Sequence, residues 1–472
     1  MPYTGTAPAP PVPGGRTDLM GPTQQFTPDQ LRERYRTVLE ENTYQGILFP
    51  RIHEEYERSR TAGFTADGLD AFRRSRLAEA LRHAGQRVPR YRPLIPADAG
   101  ADPLGALRSL PLLDKDTVRE DPDSLLSDAL EPDRCRVAST SGTSGIPLRF
   151  VVDEDHLVHT YAARIRMAVP FTGQLHFKLL MPFQGWLQGG WFEYVAPGFG
   201  LARMAEFGTT TPPGPDDVDL AVRAAGFAPD IVFGHPSSCL RLASALAAAD
   251  RSLTPRAVMT FGERLLPGAR ETLERSYGAP VMDSYGMREF GTIAAECGKG
   301  GYHVEAERLW VEVVDADGRP LPDGESGEIV VSNLVNRAMP LLRYRTGDIG
   351  ALAPEPCGCG LPHPALRLIE GRETSGVTLP SGRTVSGGEF SRLVRTRPVA
   401  RFQLALYGDD LLELRVQSTG HVALDTVRLA DDLTLLIGGE LPVRVREVRA
   451  GEFAGSGSRK HVDIVRLPAD EA

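Results

Sequence analysis

Between residues 27 and about 83, apolar positions recur at three- and four-residue spacings: Leu31, Tyr35 and Leu39; Leu69 and Phe72; Leu77 and Leu81. On a helix that spacing gathers them on one face and leaves the charged residues opposite, which predicts a helical prelude. After residue 140 the pattern changes. Short apolar runs at 177–183, 230–234, 257–261 and 280–282 alternate with helical stretches at 237–249 and 267–277. That alternation predicts a mainly parallel sheet with helices on its faces.

The period shifts again at 309–315, where residues point alternately in and out before a turn at Ala316-Asp317-Gly318 and a second extended run at 328–332. A β-rich subdomain over about 305–370 accounts for it. Beyond residue 371 the order is an extended pair around Val377 and Val385, a helix opened by Ser386, and strands at 402–407 and 411–416 joined by Gly408-Asp409-Asp410. A helix at 425–437 and a strand at 443–448 follow. Helices on a small antiparallel sheet fit that order. The fold class is therefore α/β. A large N-terminal domain at 26–371 has parallel sheets with helices plus the β-rich subdomain; a small α+β domain at 372–472 follows it, and a tail at 1–25 precedes both.

A length of 472 residues with a 41% apolar fraction agrees with two or more domains. The net charge of −9, and the lack of a basic block interleaved with aromatics, make nucleic acid and anionic membranes poor partners. Residues 1–25 are rich in Pro, Gly and Thr, without the basic start and apolar core of a signal peptide, and read as disordered. No apolar run approaches the ~18 residues that span a bilayer, so a cytoplasmic protein is expected. The cysteines are Cys135, Cys239, Cys297, Cys357 and Cys359, an odd set that argues against a disulfide framework and turns attention to metal.

Six segments carry candidate chemistry. Ser139-Thr140-Ser141-Gly142-Thr143-Ser144-Gly145-Ile146-Pro147 packs hydroxyls and glycines before an apolar run. Its backbone N–H groups and hydroxyls suit phosphate oxygens, although a linker has the same composition. Asp283-Ser284-Tyr285-Gly286-Met287-Arg288-Glu289 follows a predicted strand, at whose C-terminal end α/β sheets bind ligands. Gly262-Glu263-Arg264 closes the preceding strand. Leu342-Arg343-Tyr344-Arg345-Thr346-Gly347-Asp348 ends on a carboxylate that can accept two hydrogen bonds from vicinal hydroxyls. Ile369-Glu370-Gly371-Arg372 and Gly455-Ser456-Gly457-Ser458-Arg459-Lys460 complete the series.

Taken in their order along the chain, the segments resemble the motifs of the adenylate-forming (AMP-binding) enzyme superfamily, in its phenylacetate-CoA ligase-like branch, over about residues 111–460. The resemblance implies ATP-dependent activation of a carboxylic acid to acyl-AMP, with Mg²⁺, a homodimer and a mobile C-terminal lid. It implies that Ser141, Gly142, Thr143 and Ser144 hold phosphates. Gly262, Glu263, Arg264, Asp283, Ser284, Tyr285, Gly286 and Met287 would then surround the adenine, with Asp348 on the ribose and Arg372 before the hinge. Glu289 would hold magnesium, and Lys460 would be the catalytic lysine alongside Glu289 and Arg372. The chain departs from the family pattern at Ile146, where a lysine is usual, at Arg288 in place of a hydroxyl residue, and in Glu373-Thr374-Ser375 at the hinge.

The same resemblance makes Phe183, Trp186, Phe233, His235, Pro236 and Met287 walls for the acid. Their aromatic character suggests a planar substrate, although Phe233 and Phe183 also suit a core. Cys297, His303, Cys357 and Cys359 form a Cys₃His set of the structural-zinc type, with His363 an alternative to His303. Part of the branch carries such a site. The expected acceptor is coenzyme A. An amine, a carrier protein, or nitrite activated for diazotisation of an arylamine stand as alternatives, as does a catalytically weak nucleotide-binding scaffold.

Overall fold

A computed structural model of the chain describes residues 43–139, 148–184, 191–200, 202–209, 215–299, 301–370, 376–386, 389–390, 393–394, 397–408, 410–419, 422–449, 453 and 464–468. The chain divides into two compact units. The first comprises residues up to Phe177, Glu193–Arg203 and Ser284–Leu368; the second comprises Lys178–Phe192, Met204–Asp283 and the chain from Ile369 on.

In the first unit the prelude forms helices α1 (Thr43–Thr61) and α2 (Ala66–Arg87). Thr65 caps α2 by accepting from the Gly68 N–H, and the helix buries Leu69, Leu77, Leu81 and Ala84, the apolar stripe seen in the sequence. A short helix, α3 (Lys115–Glu120), is capped by Asp114. A hairpin of β1 (Cys135–Ser139) and β2 (Arg149–Asp153) leads into α4 (Glu154–Thr172), which ends at Gly173 with φ 70°. Leu48, Ile52 and Tyr56 of α1 pack on Val158, Ala162 and Ile165 of α4.

The second unit opens with the parallel strands β3 (Lys178–Gln184), β4 (Ile231–Gly234) and β5 (Ala257–Phe261). Helices α5 (Pro236–Ala248) and α6 (Pro267–Tyr277) follow β4 and β5. The buried Tyr277 hydroxyl donates to the Cys239 carbonyl and ties the two helices together.

The next strand, β6 (Val281–Met287), is longer than the 280–282 run predicted. The Tyr-Gly segment is not a loop: Tyr285 pairs with Ala294 and Met287 with Gly291 of β7 (Gly291–Glu296). Back in the first unit, β8 (Tyr302–Val304), β9 (Leu309–Val314), β10 (Gly327–Asn333), β11 (Tyr344–Leu352) and β12 (Ala365–Glu370) complete a sheet in the order β9-β10-β11-β12-β8-β7-β6. The pairs β9/β10, β10/β11, β8/β12, β7/β8 and β6/β7 are antiparallel; the in-and-out alternation expected at 309–315 is not found, because β9 is buried along its whole length.

The rest of the second unit is the paired β13 (Gly376–Thr378) and β14 (Thr384–Ser386), then β15 (Val399–Tyr407), β16 (Leu411–Ser418), α7 (Thr426–Leu436), β17 (Val443–Glu447) and β18 (Ile464–Leu467). The helix expected from Ser386 lies largely outside the described residues. The small sheet is mixed, not antiparallel: in the order β17-β16-β15-β18, only β15/β16 is antiparallel. A helix connects β16 to β17, and a strand–helix–strand crossover brings the second strand back parallel. Leu404, Leu414 and Leu433 share a core with Val232, Val258 and Leu273. The approach to α6 is close: a Cβ on Gly268 would lie 2.5 Å from the Val399 carbonyl oxygen.

Candidate nucleotide and metal sites

In the first unit the two most specific motifs are stapled together. Tyr285 on β6 donates its hydroxyl to Asp348 Oδ2 at 2.8 Å, and Tyr344 on β11 donates to Glu289 Oε1 at 3.0 Å. Each motif thus supplies one phenol and one carboxylate. Tyr344 and Glu289 are buried, whereas Tyr285 and Asp348 are half-buried. Thr346 donates to the Ile329 carbonyl and accepts from the Asp348 N–H, which sets the turn carrying that carboxylate. Gly286 is forced by the same pairing, since a Cβ there would sit 2.4 Å from the Gly291 carbonyl oxygen. Met287 is half-buried against the first unit's core.

Lys115 joins this group, and no motif announced it. Leu113 donates its N–H to the Arg343 carbonyl and accepts from the Arg345 N–H, so the segment before α3 lies along the start of β11. Asp114 caps α3 through the Thr117 N–H, a bond that holds its carboxyl below the usual carboxylate range. The first residue of the helix, Lys115, then places its Nζ 3.9 Å from Glu289 Oε1. Arg288 is exposed, and its Nε donates to the Ser139 carbonyl at the end of β1, where the Ser/Thr/Gly-rich loop begins.

In the second unit, Gly262 turns the chain after β5 with φ 74°. The Glu263 carboxylate accepts from both the N–H and the hydroxyl of Ser237, at 3.1 and 2.9 Å, and so sits at the N-terminus of α5 where the helix dipole favours an anion. Asp283 is buried and accepts from the Thr260 hydroxyl, and Ser284 in the first unit is buried too. Phe233 stacks on Phe261 with centroids 4.5 Å apart, and the buried His235 ring lies 4.9 Å from Phe261. Phe261 was missed by the sequence reading; its place at the C-terminal end of β5, next to Gly262-Glu263, is the signal that could have found it. Pro236 is the first residue of α5, Arg264 follows the Glu263 turn, and Phe183 lies on β3. Ser141, Gly142, Thr143, Ser144, Ile146, Trp186, Arg372 and Lys460 lie outside the described residues.

The Cys₃His set is brought together from two sequence-distant hairpins of the first unit. One ligand atom from each of Cys297, His303, Cys357 and Cys359 lies within 4.8 Å of all the others. The Cys297 and Cys357 sulfurs are 3.5 Å apart, and Cys359 Sγ is 3.2 Å from His303 Nε2. His303 Nδ1 is 3.0 Å from the His363 carbonyl oxygen, which leaves Nε2 as the ligand nitrogen. The His363 ring does not join the set; its Nδ1 lies 3.0 Å from the Val304 carbonyl oxygen. Among the described residues no helix is long and apolar enough to cross a membrane.

The family model described as AMP-binding enzyme matches residues 106–335. A phenylacetate-coenzyme A ligase of Escherichia coli is 31% identical over 313 residues, 61% of this chain and 68% of that protein. One from Thermus thermophilus is 29% identical over 320 residues, covering 64% and 70%. Among solved structures, 2-hydroxyisobutyryl-CoA ligase in its postadenylation state with 2-HIB-AMP aligns with a TM-score of 0.65 at 20% identity, over 86% of this chain and 90% of that one, a likeness of fold.

Proposed function

The chain belongs to the adenylate-forming (AMP-binding) superfamily, in its phenylacetate-CoA ligase-like branch, and is an ATP-dependent, AMP-forming ligase; we propose that its acid is small and aromatic, that its acceptor is coenzyme A, and that it serves a biosynthetic route of secondary metabolism. The observation that carries the nucleotide assignment is the pair of phenol–carboxylate bonds, Tyr285 to Asp348 and Tyr344 to Glu289. They fix two carboxylates of different character. Asp348, half-buried, suits ribose hydroxyls, which need an acceptor without a competing donor. Glu289, buried, suits a divalent cation: among the described residues its carboxylate takes one hydrogen bond, on Oε1. Magnesium held there would neutralise phosphate charge, and the Lys115 ammonium adds a positive charge on the same side.

The reaction has two displacements. The acid's carboxylate oxygen attacks the α-phosphorus of ATP, the bond to pyrophosphate breaks, and acyl-AMP forms. The coenzyme A thiolate then attacks the acyl carbon and AMP leaves with the bonding pair. Lys460 is assigned to the first displacement, and Arg372 to the nucleotide at the hinge. The stacked Phe233 and Phe261 beside His235 support the aromatic reading, because an aryl ring gains offset or edge contacts with such faces. The departures at Ile146 and Arg288 favour a specialised pathway.

The test is release of AMP and pyrophosphate with aryl and aliphatic acids, with and without coenzyme A, and with nitrite plus an aminoaryl acid. Aryl-acid-dependent pyrophosphate exchange and a coenzyme A thioester are expected. Turnover that needs nitrite overturns the carboxylic-acid reading. In the same assay Phe261→Ala should raise KM for the preferred aryl acid by about three- to tenfold, the worth of one aromatic pair, and leave KM for ATP unchanged.

We assign Cys297, His303, Cys357 and Cys359 to structural zinc, since three thiolates and an imidazole close a tetrahedral site with no position for substrate. Purified protein should carry one zinc per chain by elemental analysis. Cys357→Ser should lose it and lower the melting temperature by ~1–2 °C for each kcal/mol the ion contributes. Metal-free wild type of unchanged stability overturns the assignment.

A further inference from the structure

Behind Glu289 lies a residue that no motif includes. Arg308 is 2% exposed, and its side chain is among the largest fully buried ones in the described chain. Nη1 donates to the Phe290 carbonyl at 2.6 Å and Nη2 donates to the Thr292 carbonyl. Those two oxygens flank Gly291, in the turn that joins β6 to β7 and carries Glu289.

We propose that Arg308 is a positioning residue for Glu289, clamping this turn so that the carboxylate is presented to the nucleotide's metal ion in one orientation. The proposal rests on reading Glu289 as the magnesium ligand.

Three observations support it. First, Arg308 is held from its own side: its N–H donates to the Glu305 carbonyl, the Glu305 N–H donates to the Ile293 carbonyl, and the Arg308 carbonyl accepts from Leu334. Second, its two carboxylate neighbours are engaged elsewhere. Glu305 pairs with Arg166 of α4, and Glu307 pairs with Arg58 and accepts from Ser59 of α1. Arg308 therefore spends its terminal donors on backbone carbonyls alone. Burial lowers its pKa to about 10, so it is still charged at neutral pH. A desolvated cation whose hydrogen bonds go only to neutral acceptors, with the Glu305 carboxylate attracting it through space but not hydrogen-bonded to it, is a costly way to fill a core.

Third, the turn has no slack. Gly291 has φ 68°, and a Cβ there would meet Thr160 Cγ2 at 2.7 Å. The Phe290 ring packs edge-on against Tyr344, centroids 5.6 Å apart, and it is Tyr344 whose hydroxyl reaches Glu289. Releasing the two carbonyls would loosen the residue on each side of Gly291 and, through Phe290, the Tyr344–Glu289 bond.

The test is calorimetric binding of ATP to the full chain with Mg²⁺ and with chelator, for wild type, Arg308→Met, Arg308→Lys and Glu289→Gln. Wild type should bind ATP more tightly with Mg²⁺. Arg308→Met should weaken the Mg²⁺-dependent part ~10- to 100-fold, the usual result of removing a group that orients a metal ligand, with metal-free ATP binding and KM for the acid unchanged. Arg308→Lys, which can keep one of the two bonds, should restore part of it. A merely structural role would lower both binding modes together with the melting temperature. Folded Arg308→Met or Arg308→Lys protein with wild-type Mg²⁺ dependence overturns the proposal. If Arg308→Met does not fold, Arg308→Lys decides alone, and wild-type Mg²⁺ dependence in it is the overturning result. If Glu289→Gln keeps the wild-type Mg²⁺ dependence, the magnesium assignment fails and the proposal falls with it; loss in Glu289→Gln but not in the Arg308 variants removes the proposal alone.

Discussion

Lys460→Ala should lower acid-dependent ATP–pyrophosphate exchange by about two to three orders of magnitude, while transfer from preformed acyl-AMP to coenzyme A changes little. The first displacement brings a carboxylate against a phosphate, two anions, and a cation about 4 Å from the transferring group is worth on the order of 4 kcal/mol at an effective dielectric of ~20. The second attacks an uncharged acyl carbon and has no such requirement. Lys460 lies outside the described residues, so the expectation stands on its glycine-rich segment and on charge. The Lys115 ammonium, 3.9 Å from Glu289, stays in place in Lys460→Ala and should limit the loss. Single-turnover rates for each half-reaction in Lys460→Ala, Lys115→Ala and the double variant check this. Wild-type exchange in Lys460→Ala removes the residue from the mechanism.

What could be read from the sequence was local. Tyr285, Glu289 and Asp348 stood out because glycines, aromatics and carboxylates fall together within a few residues, and α6 was recovered at 267–277 because its apolar positions repeat within one element. Lys115 and Arg308 were not legible. Each meets its partners on a different element of the chain, and nothing near Lys115 in sequence names Glu289 as its neighbour. The strand β6 runs past the apolar run at 280–282 because Tyr285, Gly286 and Met287 continue its pairing with β7, and a run of apolar residues marks only the start of it. An antiparallel small sheet is the simplest expectation for its strands, but strand period says nothing of direction, which the crossover helix α7 decides. His363 stands as an alternative to His303 in the sequence, and the structure distinguishes them by the second ring nitrogen: both Nδ1 atoms face a carbonyl, but only His303 brings its Nε2 to the cysteine sulfurs.

Arg343→Met should cost about 3–5 kcal/mol of stability at neutral pH, the usual result of removing one partner from a buried ion pair. Arg343 was read as part of a nucleotide signature, but it is 4% exposed and works as a fastener. Nη1 donates to the Arg108 and Leu110 carbonyls at 3.0 and 2.8 Å, and Nη2 donates to the Gly318 carbonyl at 2.6 Å. Its Nε forms an ion pair, not a hydrogen bond, with Glu312 Oε2 at 3.4 Å. Burial pushes the Glu312 carboxyl up from its ordinary pKa, against the pull of the Arg343 charge. Without that charge the pKa rises further, and a carboxyl whose folded pKa exceeds its unfolded one loses stability as pH climbs from the unfolded value through the folded one. The deficit of Arg343→Met relative to wild type should therefore be smaller near pH 5 than near pH 8. Adding Glu312→Gln should recover part of it at pH 8 by removing the stranded charge. Urea midpoints of the three proteins at both pH values decide the matter: a single variant within about 1 kcal/mol of wild type at pH 8, or a deficit that grows toward acid, sinks the assignment. Because Tyr344 and Arg345 follow Arg343 directly, and Arg345 donates to Leu113 just before Lys115, the same substitution should also weaken Mg²⁺-dependent ATP binding, which links the stability of this strand to the placement of Glu289.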